Sequence, residues 1–135
     1  MCKRRVHIAG RIGAVAVTLG LIGAVVAQPA SATAITCTAT AGAPYKNGAL
    51  TASAITRITC SQAVSHIRVE GFLYGPGGAR ASRTTYCYGT TSCSLRVDMP
   101  LVTGTYYSWV DGEGYTPASG ARYASNVSRD VFLVR

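Results

Sequence analysis

The chain has 135 residues, with 13 basic and 5 acidic side chains and a formal net charge of +8. Residues 1–34 carry Lys3, Arg4, Arg5 and Arg11 and no acid, so the remainder has a net charge of only +4, and its length is that of one domain, which excludes a multidomain enzyme. All eight Tyr, Trp109 and both Phe lie after residue 34; that aromatic content at low net charge argues against disorder, and +4 with no recognised fold signature falls short of a nucleic-acid-binding footprint.

Met1 to Arg11 reads as a basic n-region, Ile12 to Ala27 as an uncharged apolar run, and Ala30-Ser31-Ala32-Thr33-Ala34 as two overlapping small-x-small cleavage sites. This is the pattern of a cleaved secretory signal peptide over 1–34, with the mature chain starting at Thr33 or Ile35. The apolar run is shorter than the ~20 residues that span a bilayer, and Pro29 follows it, so no membrane anchor is expected after cleavage. Arg4-Arg5 raises the twin-arginine export route, although Val6-His7-Ile8 matches that signal poorly.

Residues 35–135 are expected to form a single domain exported to the extracellular space. They contain Cys37, Cys60, Cys87 and Cys93, an even number in a small exported domain, which implies two disulfides. Of the three possible pairings, the sequential one is preferred, because Cys87 and Cys93 flank Tyr88-Gly89-Thr90-Thr91-Ser92, which resembles a hairpin end. On chain-entropy grounds the Cys37–Cys60 loop contributes roughly 3.5 kcal/mol and the short loop roughly 2.4 kcal/mol. A zinc site is not expected, since neither a C-x₂-C pair nor a nearby His pair occurs.

Along the chain, Ile35 to Ala41 and Ile55 to Cys60 read as strands rich in Thr and Ala, separated by Gly42-Ala43-Pro44 and Asn47-Gly48. Ile67, Val69, Gly71 and Leu73 alternate with His66, Arg68, Glu70, Phe72 and Tyr74, the pattern of a half-buried strand. Gly75-Pro76-Gly77-Gly78 breaks it. Ala79 to Tyr88 and Cys93 to Met99 follow as two further strands of a meander. Thr105 to Val110 is an aromatic strand, Asp111-Gly112-Glu113-Gly114 a turn, and Tyr123 to Arg135 holds one or two more strands. No helical periodicity occurs. Short strands separated by Gly-rich turns predict an all-β fold, a small antiparallel β-sandwich of immunoglobulin-like architecture.

Pro100 to Tyr106 has the form of the corner that carries a Tyr into a late strand of immunoglobulin-like sandwiches. The layout of leader, early Cys37, Cys60-Ser61-x-Ala63-Val64, the Cys87 to Cys93 segment and Gly104-x-Tyr106 resembles small secreted two-disulfide proteins of actinobacteria, a resemblance that implies no particular activity. Neocarzinostatin-like apoproteins share the leader, the size and a late short Cys loop, but the other cysteine spacings here depart from theirs.

Chemistry is sparse. The mature chain has one histidine, His66, which alternation places beside Arg68 and Glu70 on a solvated face, and no G-x-S-x-G signature occurs. Among the acids Glu70, Asp98, Asp111, Glu113 and Asp130, only Asp111 and Glu113 are neighbours, in an expected turn that lacks the spaced oxygen ligands of an EF-hand. No catalytic residue, metal or cofactor is therefore assigned. Arg68, Arg80, Arg83 and Arg96 are candidates for one basic face, unless strand parity divides them.

Because alternation sends Tyr106 one way and Tyr107 with Trp109 the other, some aromatic surface is expected outside; the plainer alternative makes Trp109 the core tryptophan. The candidate binding residues are Tyr86, Tyr88, Thr90, Arg68, Arg96 and Trp109. The functional expectation is a secreted non-enzymatic binding domain, a protein-binding or inhibitor module presenting the Tyr88 to Ser92 loop. The alternative is a cell-envelope or polysaccharide-associated protein that uses exposed aromatics and arginines. The partner is accordingly an unidentified protein or a cell-wall polymer.

Overall fold

The computed structural model describes residues 33–135, so the expected signal peptide falls, but for Thr33 and Ala34, outside the described residues. Alternating burial organises seven strands: β1 (Cys37–Ala41), β2 (Tyr45–Lys46), β3 (Thr51–Tyr74), β4 (Arg80–Pro100), β5 (Gly104–Thr116), β6 (Gly120–Val127) and β7 (Val131–Leu133). The only helical segment among the described residues is a 3-10 turn at Pro76–Gly78, which reverses the chain between β3 and β4. The result is an all-β, curled antiparallel sheet carrying two disulfides.

Two strands are far longer than the sequence suggests. β3 and β4 pair from Tyr74↔Arg80 back to Thr51↔Pro100, with one interruption. Between Thr59↔Ser92 and Val64↔Thr90, β3 advances five residues while β4 advances two. The excess of three is odd, so it reverses which residues face inward. Accordingly Ala52, Ala54, Thr56, Ile58 and Cys60 are buried before the bulge, whereas Ile67, Val69, Gly71 and Leu73 are buried after it.

The bulge folds the hairpin over. The first half of β3 is flanked by β1 and β2 on one side and by the end of β4 on the other; the second half is flanked by the start of β4 and by β5. The inward faces of the two halves meet: a Cβ at Gly71 would stand 2.8 Å from Leu95 Cδ1 and 3.0 Å from Val97 Cγ2. Ile58, Ile67, Val69, Leu73, Val97, Val110 and Tyr106 fill the space between them. At ~25 cal/mol per Å² of apolar surface, each large side chain buried there contributes about 1.5–3 kcal/mol.

Two expectations change here. Cys93 to Met99 is not the third strand of a meander: it continues β4 and pairs with Ala52 to Ile58. Nor do Cys87 and Cys93 flank a hairpin end; they brace a bend within β4. Their Cα atoms are 5.6 Å apart across six residues, where a straight strand would span ~20 Å. Gly89, with φ of 60°, lies at this bend. The sequential pairing itself holds, and Cys37 bonds Cys60, its neighbour across the β1–β3 ladder.

Asp111-Gly112-Glu113-Gly114 is not a turn. β5 runs on to Thr116, and the two glycines point inward because there is no room for a side chain. A Cβ on Gly114 would strike both sulfurs of the Cys37–Cys60 disulfide, and one on Gly112 would strike the Arg68 carbonyl and Ile58. Tyr106 takes the corner arrangement anticipated for it. Fully buried, its hydroxyl donates to the Val102 carbonyl at 2.7 Å and accepts from the Val102 N–H at 2.9 Å.

Candidate functional site

The same alternation that fills the core sends a second set of side chains outward from β4, β3, β5 and β6. Ladder registers align them in rows. Arg80, Tyr74 and Tyr107 form the first, and Ser82, Phe72, Trp109 and Val127 the second. Thr84, Glu70, Asp111 and Ser125 form the third; Tyr86, Arg68, Glu113 and Tyr123 the fourth; Tyr88, His66, Tyr115 and Ala121 the fifth. The face therefore has an aromatic cluster at each end and a charged belt between them.

At the first end, Tyr74 and Tyr107 stack with ring centroids 4.7 Å apart and planes 8° from parallel. Phe72 lies 5.5 Å from Trp109, and the Arg80 guanidinium covers it at 4.7 Å, so Phe72 is only 7% exposed although it is on the outward side. Trp109 is 41% exposed, which overturns its assignment to the core. Beside it, Tyr107, Trp109, Ser125, Asn126 and Val127 line an open depression of about 350 Å³. Asn126 is fixed at its rim, donating to the Ala39 carbonyl at 3.0 Å.

In the belt, Arg68 bonds Glu70 at 3.1 Å and stands 3.8 Å from Glu113. With Asp111 alongside, the belt holds three carboxylates and one guanidinium. At the far end, His66 stacks on Tyr115 at 5.1 Å and lies 6.4 Å from the rings of both Tyr86 and Tyr88. Tyr88 is the most open of these rings, at 74% exposure. The bend that follows it is stiffened by the Cys87–Cys93 bond and by the Thr90 hydroxyl, which is 3.3 Å from both the N–H and the carbonyl oxygen of Ser92.

The fold thus brings Tyr86, Tyr88, Arg68 and Trp109 onto one face and places Thr90 in the adjoining bend. It separates Arg96, which lies on the outward side of the other half, with Nε 3.0 Å from Asp98. There the Ser53 hydroxyl, first, and Arg96, second, hold the Asp98 carboxyl below the usual range against the opposing effect of burial. Arg83 has the parity opposite to Arg80, so the four arginines form no common basic face. Phe72, Tyr74, Tyr107, Tyr115 and the carboxylates of the belt join the site; their shared parity in the sequence was the available signal, but which strands lie side by side was not.

Among the described residues, no group of three or more His, Cys, Asp or Glu side chains could hold a metal ion. No family model matches the chain and no curated protein matches it, so the likeness to actinobacterial secreted proteins gains no support, and a small β-rich fold is as far as the assignment reaches.

Proposed function

We propose that this chain is a secreted, non-enzymatic binding domain whose ligand surface is the outward face of β4, β3, β5 and β6. One observation carries the reading: the sheet holds Tyr86, Tyr88, Tyr107, Trp109, Tyr115 and Tyr123 outward and accessible on a single face. Solvent-facing aromatic patches on small domains mark interaction surfaces, because rigid amphipathic rings gain contact area at little entropic cost. Ladder pairing and the braced bend fix the strands that carry these rings before a ligand arrives, which lowers the ordering cost of binding.

Extracellular action is supported by the leader pattern and the two disulfides, which suit an oxidising compartment. Among the described residues no helix is long and apolar enough to cross a membrane. Immunoglobulin-like sandwich architecture is supported by the Tyr106 corner and by the packing of the two halves, although β3 and β4 pass through both halves.

The test is retention. The oxidised protein, immobilised, is exposed separately to extracellular proteins and to purified cell walls at low and high salt, beside a Tyr107→Ala/Trp109→Ala variant. Retention that the double substitution abolishes supports the reading; retention that it leaves intact refutes this face as the ligand surface. If Tyr88→Ala and Thr90→Ala have no effect, the disulfide-braced segment is not part of the contact.

A further inference from the structure

We propose, building on the binding role just assigned, that the ligand of this face is an uncharged, hydroxyl-rich polysaccharide chain lying along β3 and β5. Three properties of the surface select that chemistry. The first is shape. Between their outermost residues five rows along β3 span ~26 Å while four strands span ~14 Å, so the face is about twice as long as it is wide. A narrow strip of this kind fits an extended polymer better than a globular surface.

The second is charge. The domain is basic overall, yet Glu70, Asp111 and Glu113 face only Arg68 in the belt. Arg80 is held at the first end of the face over Phe72, away from the belt; Arg57 and Arg96 project from the other half, and Arg122 lies opposite the inward-facing Gly114. A polyanion is therefore repelled where it would have to cross the face. Carboxylates at that position instead accept hydrogen bonds from neutral hydroxyl groups, and charge-assisted bonds of this kind are the stronger ones.

The third is the spacing of the rings. Trp109 and Tyr115 are six residues apart on one side of β5, ~20 Å, so a chain whose apolar ring faces stack at both ends must pass over Asp111 and Glu113. The open depression at Tyr107 and Trp109, about 350 Å³, lies at the small end of ligand-pocket volumes and has Ser125 and Asn126 as its polar rim.

Trp109 is the single tryptophan of the protein, so its emission reports directly on this face. The oxidised protein is titrated with soluble oligosaccharides of cellulose, chitin and β-1,3-glucan, and in parallel with a polyanionic glycan and a basic peptide. At least one neutral oligosaccharide is expected to shift Trp109 emission saturably and with little dependence on salt. Tyr107→Ala should weaken that affinity by ~10-fold or more, and Tyr115→Ala should weaken longer oligomers more than shorter ones. Ile55→Ala, exposed on the outward side of the other half opposite Arg96, serves as the control that should change nothing. If no neutral oligosaccharide titrates, or if Tyr107→Ala binds as the parent does while its circular dichroism is unchanged, the inference is overturned. A saturable response to the peptide or polyanion alone would overturn the glycan assignment yet keep the face as a binding surface. Retention insensitive to Tyr107 and Trp109 in the wall and protein assay would remove the surface itself.

Discussion

Thr56 is fully buried, and its hydroxyl oxygen has no hydrogen-bond partner. It points from the first half of β3 toward Gly71 in the second half, against Leu95 and Val97. A buried hydroxyl without a partner costs about 1–3 kcal/mol of desolvation that nothing returns. Thr56→Val keeps the β-branched shape, suits an extended strand and removes that hydroxyl, so it should stabilise the domain by about 1 kcal/mol. For a domain of this size that is a rise in Tm of roughly 4–8 °C, with the urea midpoint raised and the m-value unchanged. Thr56→Ser supplies the contrast: it keeps the hydroxyl, loses a buried methyl and should cost about 1 kcal/mol. Both variants are compared with the parent by urea and thermal unfolding followed by circular dichroism. A lower midpoint for Thr56→Val would refute the reasoning, because it would mean the hydroxyl is satisfied and stabilising.

Replacing Cys37 and Cys60 with Ala should cost about 1 kcal/mol more in urea unfolding than replacing Cys87 and Cys93, since the bridged segments are 23 and 6 residues long. Tyr106→Phe removes both hydrogen bonds to Val102 but leaves the ring packed, so a loss of about 1–1.5 kcal/mol is expected, less if water reaches the exposed Val102 backbone. The carboxyl of Asp98 titrates below its unfolded value, so its stabilising effect is present above that unfolded value and is lost as pH falls through the folded one. Ser53→Ala should move the Asp98 titration upward in an NMR pH series, and an unmoved titration would show that the Ser53 hydroxyl is not its principal cause.

The faces of individual strands were legible in the sequence because alternation is local: His66 to Tyr74 divides into inward and outward sets as the pattern requires. The Tyr106 corner was legible for the same reason of short-range form; the sequential Cys37–Cys60 and Cys87–Cys93 pairing holds, but Cys87 and Cys93 brace a bend in β4 rather than the hairpin end on which the preference for that pairing rests. What the chain did not disclose is which segments lie side by side. The β3 bulge reads as a break between two strands, since its three extra residues reverse parity, and only the partner strand shows that pairing resumes. Gly112 and Gly114 resemble turn glycines until the Cys37–Cys60 sulfurs are brought against them by strands distant in sequence. Trp109 gains its aromatic neighbour Phe72 only through the β3–β5 register, so its place on the outer face could not be fixed from β5 alone.

The bend in β4 bears on self-assembly as well as on the ligand surface. β4 pairs with β3 alone, leaving its other side an open edge from Arg80 to Pro100. A straight, unprotected edge of that length is a template on which further copies can add strand by strand into fibrils. The Cys87–Cys93 link divides it into two shorter pieces that no single straight strand can follow, and Arg80 and Arg83 place like charges along the first of them. The second disulfide thereby blunts this edge as a template for strand addition, a consequence separate from how much it adds to the stability of one copy.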